Sequence, residues 1–233
     1  MNYAFTNGKI LDGTKDMQIQ TGLCILVRDG KIYDIVKDTA DLDGYKIIDL
    51  QGHYILPGLI NMHVHLAGSG KPQKKQRDNE KLVNTIMGSA LTRAIAYNMV
   101  AGFAKDELLS GVTTIRTVGG LGNFDTRLRD EIEAGTKIGP RILAANQGIS
   151  VPGGHMAGSV AIAAANIDEA LAHRNTCEKE KVDIIKLMIT GGVLDAKEKG
   201  TPGELKMSPD MVRAVCDKAH ADGYMVSAHV ESP

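Results

Sequence analysis

From Met1 to about Ile55 the apolar residues come in short runs separated by turn pairs: YAFTNGKILDG, then GLCILVRDGKIYDIV, then YKIIDLQGHYIL. Runs of this length, rich in Ile, Val and Tyr and bounded by Asn-Gly or Asp-Gly, read as strands joined by hairpins. Arg28-Asp29-Gly30-Lys31 is predicted to be one such turn. After Pro57 the rhythm changes. Apolar runs at 59–65 (LINMHVH), 112–118 (VTTIRTV), 141–146 (RILAAN), 182–189 (VDIIKLMI) and 225–230 (MVSAHV) alternate with helical stretches around 80–109, 125–134, 167–180 and 208–222. The last helix carries the fullest signals, with Ser208 as N-cap, Pro209 in the first helical position and Gly223 after the end. Strands apolar on both faces and separated by helices predict a parallel sheet covered by helices, either doubly wound or a (β/α)8 barrel. The expected division is therefore a β-rich part over 1–56 and an alternating β/α part over 57–233.

Composition narrows the classes of function. The chain has 233 residues, 43% hydrophobic and 24% charged, which is ordinary for a globular protein with a sizeable core. Its formal net charge is −1, and the one dense basic run is KPQKKQR at 71–77, so no nucleic-acid partner is expected. No segment approaches the roughly 18 uninterrupted apolar residues of a membrane span, and MNYAFTNGKILDG lacks the charged start and apolar centre of a signal peptide. The expectation is a cytoplasmic protein with no membrane partner. Cys24, Cys177 and Cys216 are odd in number and never spaced C-x-x-C, which predicts neither a disulfide framework nor a thiolate metal site.

Histidines at strand ends carry the candidate chemistry. Successive side chains of a strand alternate in direction, so His63 and His65 share a face while Met62 and Val64 are expected to point into apolar surroundings. A histidine on a strand is commonly a satisfied core residue. Here two stand at a strand end before Gly68-Ser69-Gly70, and a third, His229, ends another strand, which is the pattern of an open metal site with nitrogen ligands. Lys186, in DIIKLMITGG, is costly inside an apolar strand unless it is paired, neutral or modified. Either it pairs with an acid such as Glu231, or its deprotonated amine takes up CO2 to give a carbamate able to bridge two ions. His220, inside the capped helix, is expected to be a packing residue.

Taken in order, LPGLINMHVHL, GVTTIRTVGG, GPRIL at 139–143, PGGH at 152–155, DIIKLMITGGV and the AHADG to SAHVE ending resemble the amidohydrolase superfamily. Within it they look most like the imidazolonepropionase-related branch that includes Xaa-Pro dipeptidases. The resemblance implies a metal-dependent (β/α)8 barrel with a small β-sandwich built partly from the N-terminus. It implies that His63 and His65 hold the more buried metal, that Lys186 is the carboxylated bridge, that His229 binds the second metal and that His155 contacts substrate. The cofactor would be one or two divalent ions, zinc being expected. The reaction would be attack by a metal-bound hydroxide on the C–N bond of a small amide or dipeptide, such as an Xaa-Pro dipeptide. Thr117, where relatives often carry an acid, and Met156, where a small residue is common, depart from the pattern.

A complete barrel takes about 250 residues and eight strands, against the five read after Pro57. The family's strand-six histidine and strand-eight aspartate have no counterpart, so the general base is unassigned and the chain reads as the front part of an enzyme. Residues 1–233 alone are expected to show no appreciable turnover. The alternatives are a cyclic-amide hydrolase of imidazolonepropionase type, which would not need Lys186, and a non-catalytic amidohydrolase-like fragment. The unpaired edge of the fifth strand leaves homo-oligomerisation open.

Overall fold

A computed structural model describes residues 1–70, 78–193 and 203–232; the basic run at 71–77 lies outside the described residues. The chain divides into two compact units, Met1–Gly58 and Leu59–Pro233.

The first unit contains β1 (Tyr3–Thr6), β2 (Lys9–Ile10), β3 (Leu23–Arg28), β4 (Lys31–Lys37), β5 (Lys46–Asp49) and β6 (Tyr54–Ile55). Four of these form a sheet in the order β4-β3-β1-β5, and β2 pairs with β6. The predicted hairpin is present, with Arg28 opposite Lys31. Asp29 and Gly30 have φ of 49° and 75°, the pair of left-handed residues whose twist suits a two-residue hairpin. Ala4, Cys24, Ile25 and Leu26 form its buried centre.

The second unit alternates strands and helices: β7 (Leu59–Val64), α1 (Asn79–Met87), α2 (Ala90–Leu109), β8 (Val112–Thr117), α3 (Phe124–Glu133), β9 (Arg141–Leu143), β10 (Gly148–Ser150), β11 (Ala161–Ala163), α4 (Ile167–Lys179), β12 (Ile184–Met188), α5 (Pro209–Ala221) and β13 (Met225–His229). Its strands form two sheets, β7-β8-β9 and β11-β10-β12-β13, and every pairing within them is parallel. The Asp183 N–H donates to the Ala144 carbonyl at 2.7 Å, linking the end of β9 to the start of β12. This succession of parallel strands with intervening helices is the wall of a (β/α) barrel, five strands long when β9 and β10 are taken as one interrupted strand and the three-residue β11, paired with β10 alone among the described residues, is set aside.

The interruption is local. The run expected as one strand over 141–146 breaks because Asn146 is buried in a left-handed conformation with φ 55°. The helix expected over 80–109 is two helices, since Gly88 caps the end of α1 and Ser89 caps the start of α2, its Oγ accepting from the Thr92 N–H at 3.2 Å. Two cores stand behind the strands. One gathers Val64, Leu66, Ile115 and Ile142 against Tyr97, Val100 and Leu128 of the helices. The other gathers Ile149, Ile185 and Leu187 against Cys177, Val215 and Ala219. β7 departs from expectation: Val64 is buried, but Met62 is 44% and Ile60 63% exposed, because among the described residues this strand pairs only with β8.

Candidate functional site

The expected site residues come from three strands, β7, β12 and β13, and one loop. His63 lies within β7 and His65 directly after it. Their rings meet edge to face with centroids 5.3 Å apart. The His65 Nδ1 faces the Gly119 carbonyl oxygen at 3.1 Å. A carbonyl only accepts, so Nδ1 carries the proton and Nε2 is left as the free base. Gly119 has φ 138°, and a Cβ there would lie 3.2 Å from the His65 ring, so this turn needs glycine both for its backbone and for its contact.

Lys186 is in the middle of β12 and is 2% exposed. Among the described residues its Nζ has no hydrogen-bond partner, and no pairing with Glu231 of the kind that would have made it structural is formed. Burial, helped by the charge of Arg116, pushes its pKa down from 10.5 to about 8. Space for its stem exists because residue 148, across the strand pair, is glycine: a Cβ there would sit 3.1 Å from the Lys186 Cγ. Arg116 is held by its own strand neighbour, Nε donating to the Met62 carbonyl at 2.8 Å.

His229 ends β13, where it stands opposite Met188 as Ser227 stands opposite Lys186. Parallel registry and the two-residue period put Lys186 and His229 on one face. The His229 Nε2 is buried, without a hydrogen bond among the described residues, 3.5 Å from a Glu231 carboxylate oxygen. His155, in the loop after β10, stacks on the His229 ring with centroids 4.0 Å apart and planes 14° from parallel. The pKa of each of His63, His65 and His229 is lowered, first by desolvation. The Lys186 charge acts in the same direction on all three. All three imidazoles are therefore neutral at pH 7, the form that ligates metal.

A cleft of about 730 Å³ opens beside His63, His65 and His155, with Val83, Ile86, Leu121, Met156 and Val160 on its apolar wall. Among the described residues no group of three or more His, Cys, Asp and Glu side chains is gathered closely enough to hold an ion. Lys186 in its amine form is a weak ligand and as a carbamate would be an anionic oxygen donor. His220 is exposed in the last turn of α5, contrary to the expected packing role. Arg116, Gly119 and Gly148 carry no metal-ligand pattern in the sequence, and only strand registry shows that they border the site.

The amidohydrolase family profile matches residues 54–233. The chain belongs to the amidohydrolase family. Among solved structures, a prolidase assigned as putative from Bifidobacterium longum is 34% identical and superimposes with a TM-score of 0.75 over all of this chain and 50% of its own. A Xaa-Pro dipeptidase with methionine bound in its active site is 29% identical, with a TM-score of 0.77 over 99% of this chain and 57% of its own. A dihydroorotase of Trichlorobacter lovleyi is 36% identical over 75 residues, 32% of this chain and 17% of its own length. The chain thus spans about half the length of the solved amidohydrolases it matches. Its fold is the corresponding five-stranded portion of their barrel with the N-terminal sheet unit.

Proposed function

We propose that this amidohydrolase is a metal-dependent hydrolase of a C–N bond in a small amide or dipeptide, the Xaa-Pro type being favoured by its prolidase and dipeptidase neighbours. The observation that carries the reading is the Lys186 amine, buried without a hydrogen-bond partner among the described residues, on the same face as His229 and close enough to lower the pKa of His63 and His65. A solvated or structural lysine needs none of these neighbours. Because no three of these side chains are gathered round one point, His63 and His65 would hold one divalent ion and His229 would contribute to a second, and Lys186, whose lowered pKa leaves amine available near neutral pH, would join them as a carbamate after taking up CO2 and releasing a proton. When bound, such an ion supplies a Lewis acid for the substrate carbonyl and acidifies water. His155 would meet the substrate from the opposite side of His229, and the apolar wall that includes Met156 would exclude water from the non-reacting part of the substrate. A cyclic-amide hydrolase with a single ion would leave the buried Lys186 without a purpose, and is the weaker reading.

The test is elemental analysis of the purified chain after loading with zinc, manganese or cobalt, beside the His63→Ala, His65→Ala double variant and with ¹³C-bicarbonate NMR for the carbamate. The parent is expected to retain metal and show a carbamate resonance that Lys186→Met lacks. Equal metal content in parent and double variant would remove His63 and His65 from the site. Failure of every Xaa-Pro dipeptide in a panel to bind the loaded protein or be cleaved by it would overturn the substrate class.

A further inference from the structure

Behind the Gly119-Gly120 turn lies a buried carboxylate that the reaction does not use. Asp125, in the first turn of α3, is 1% exposed. The Thr117 hydroxyl and the Asn146 backbone N–H face its carboxylate and oppose the rise in its pKa, while among the described residues its Oδ2 has no hydrogen-bond partner. Asn146 is fixed from several sides. Its Oδ1 accepts from the Thr126 N–H at 3.0 Å, and its Nδ2 donates to the Thr126 Oγ1 at 3.0 Å and to Glu180 Oε2 at 2.8 Å. The Asn146 carbonyl in turn accepts from the Gly120 N–H at 2.8 Å, and the Gly119 carbonyl accepts from His65 Nδ1 at 3.1 Å. Thr117 belongs to the same frame, since its Oγ1 accepts from the Ala145 N–H at 3.2 Å and its backbone pairs with Val64, the residue before His65.

The chain of contacts is continuous: carboxylate to Asn146 amide, Asn146 carbonyl to Gly120 amide, Gly119 carbonyl to His65. We infer that Asp125 is a positioning residue that fixes the Gly119 carbonyl, and through it holds the His65 ring in the Nδ1–H tautomer with Nε2 presented to the site. An apolar side chain of the same volume at 125 would be cheaper to bury but would leave the Thr117 hydroxyl and the Asn146 N–H without this acceptor. Burying an acid there instead costs stability, and burial pushes its pKa up from 3.8 to about 6. The acid stands where it can accept from two donors that would otherwise be buried and unpaired, at the base of the turn whose carbonyl meets His65. Outer partners of this kind set the tautomer and orientation of ligating histidines. The inference takes His65 as a ligand from the function proposed above, but the tautomer itself is a property of the metal-free chain.

The experiment is therefore long-range ¹H–¹⁵N NMR of the imidazoles in metal-free full chain, with the His65 resonances assigned by their loss in His65→Gln. Parent and Asp125→Asn, which keeps an acceptor oxygen, are expected to show His65 protonated at Nδ1. Asp125→Ala is expected to shift His65 to a mixture of tautomers and to weaken zinc binding by roughly 10-fold or more, the usual scale for a lost outer partner. Gly120→Ala provides a second route if Asp125→Ala does not fold, because a Cβ at 120 would lie 2.5 Å from Asp125 Oδ2 and displace the carboxylate. An unchanged Nδ1–H tautomer in folded Asp125→Ala or Gly120→Ala would overturn the positioning role. A parent that shows the predicted tautomer changes but binds no zinc would leave the positioning role standing and sink only the ligand assignment.

Discussion

At the scale of single residues, Lys186 sets stability against chemistry. A lysine with a folded-state pKa near 8 against 10.5 when free binds protons less readily in the folded than in the unfolded state. Folding stability is therefore penalised at every pH below about 8, and the penalty fades as pH rises through 8 toward 10.5. Replacing Lys186 by Met, similar in length and without the amine, removes the penalty. In metal-free protein at pH 7 the variant is expected to be more stable than the parent by about 2–3 kcal/mol, and the gap should close as pH approaches 10.5. Urea unfolding at the two pH values measures this. A Lys186→Met variant less stable than the parent at pH 7 would mean that the amine has a favourable partner after all. The same variant is expected to lose carbamate and metal, the exchange of function for stability seen where a protein keeps a costly group in its site.

At the scale of elements, helix ends were legible because their signals are local. α5 runs from Pro209 to Ala221, where Ser208, Pro209 and Gly223 placed it, and the Ser208 Oγ accepts from the Met211 N–H at 3.3 Å. Asp210 in its first turn and Lys218 in its last match the helix dipole. Ser208→Ala is expected to cost about 1 kcal/mol, read as a lowered thermal or urea midpoint. No change would mean that packing of Met211 and Val215 alone holds this end. Other boundaries were hidden for a physical reason. The break after Leu143 depends on Asn146 adopting a left-handed turn and satisfying Thr126 and Glu180, partners 20 and 34 residues away. β10 and β11 are only three residues each, below the length at which an apolar period can be recognised. The candidate ligands were visible because period two places His63 and His65 together in any strand. Asp125 was not, because a lone acid in the first turn of a helix looks like ordinary dipole matching until its burial is known.

At the scale of the whole molecule, the alternation of strands and helices indicated a parallel architecture, but periodicity could not say which strands would lie at the margins. β7 pairs only with β8, and β13 only with β12, among the described residues. Both carry apolar side chains in water: Leu59, Ile60 and Met62 on the first, and Met225 at 72% exposure on the second. An unpaired parallel strand offers a row of free N–H and C=O groups to any other extended segment, and exposed apolar residues beside that row make association favourable. The expected consequence is concentration-dependent self-association of this chain, measured by light scattering coupled to size exclusion. Lysine on an edge strand opposes such pairing by charge repulsion and by the cost of burying an ammonium. Ile60→Lys and Met225→Lys together should therefore shift the population toward monomer. Neither residue belongs to the buried cores, so the substitutions are expected to leave the unfolding midpoint nearly unchanged. A parent that stays monomeric throughout the accessible concentration range, or a double variant that associates as strongly as the parent, would show that these two edges are already blunted and that any assembly uses another surface.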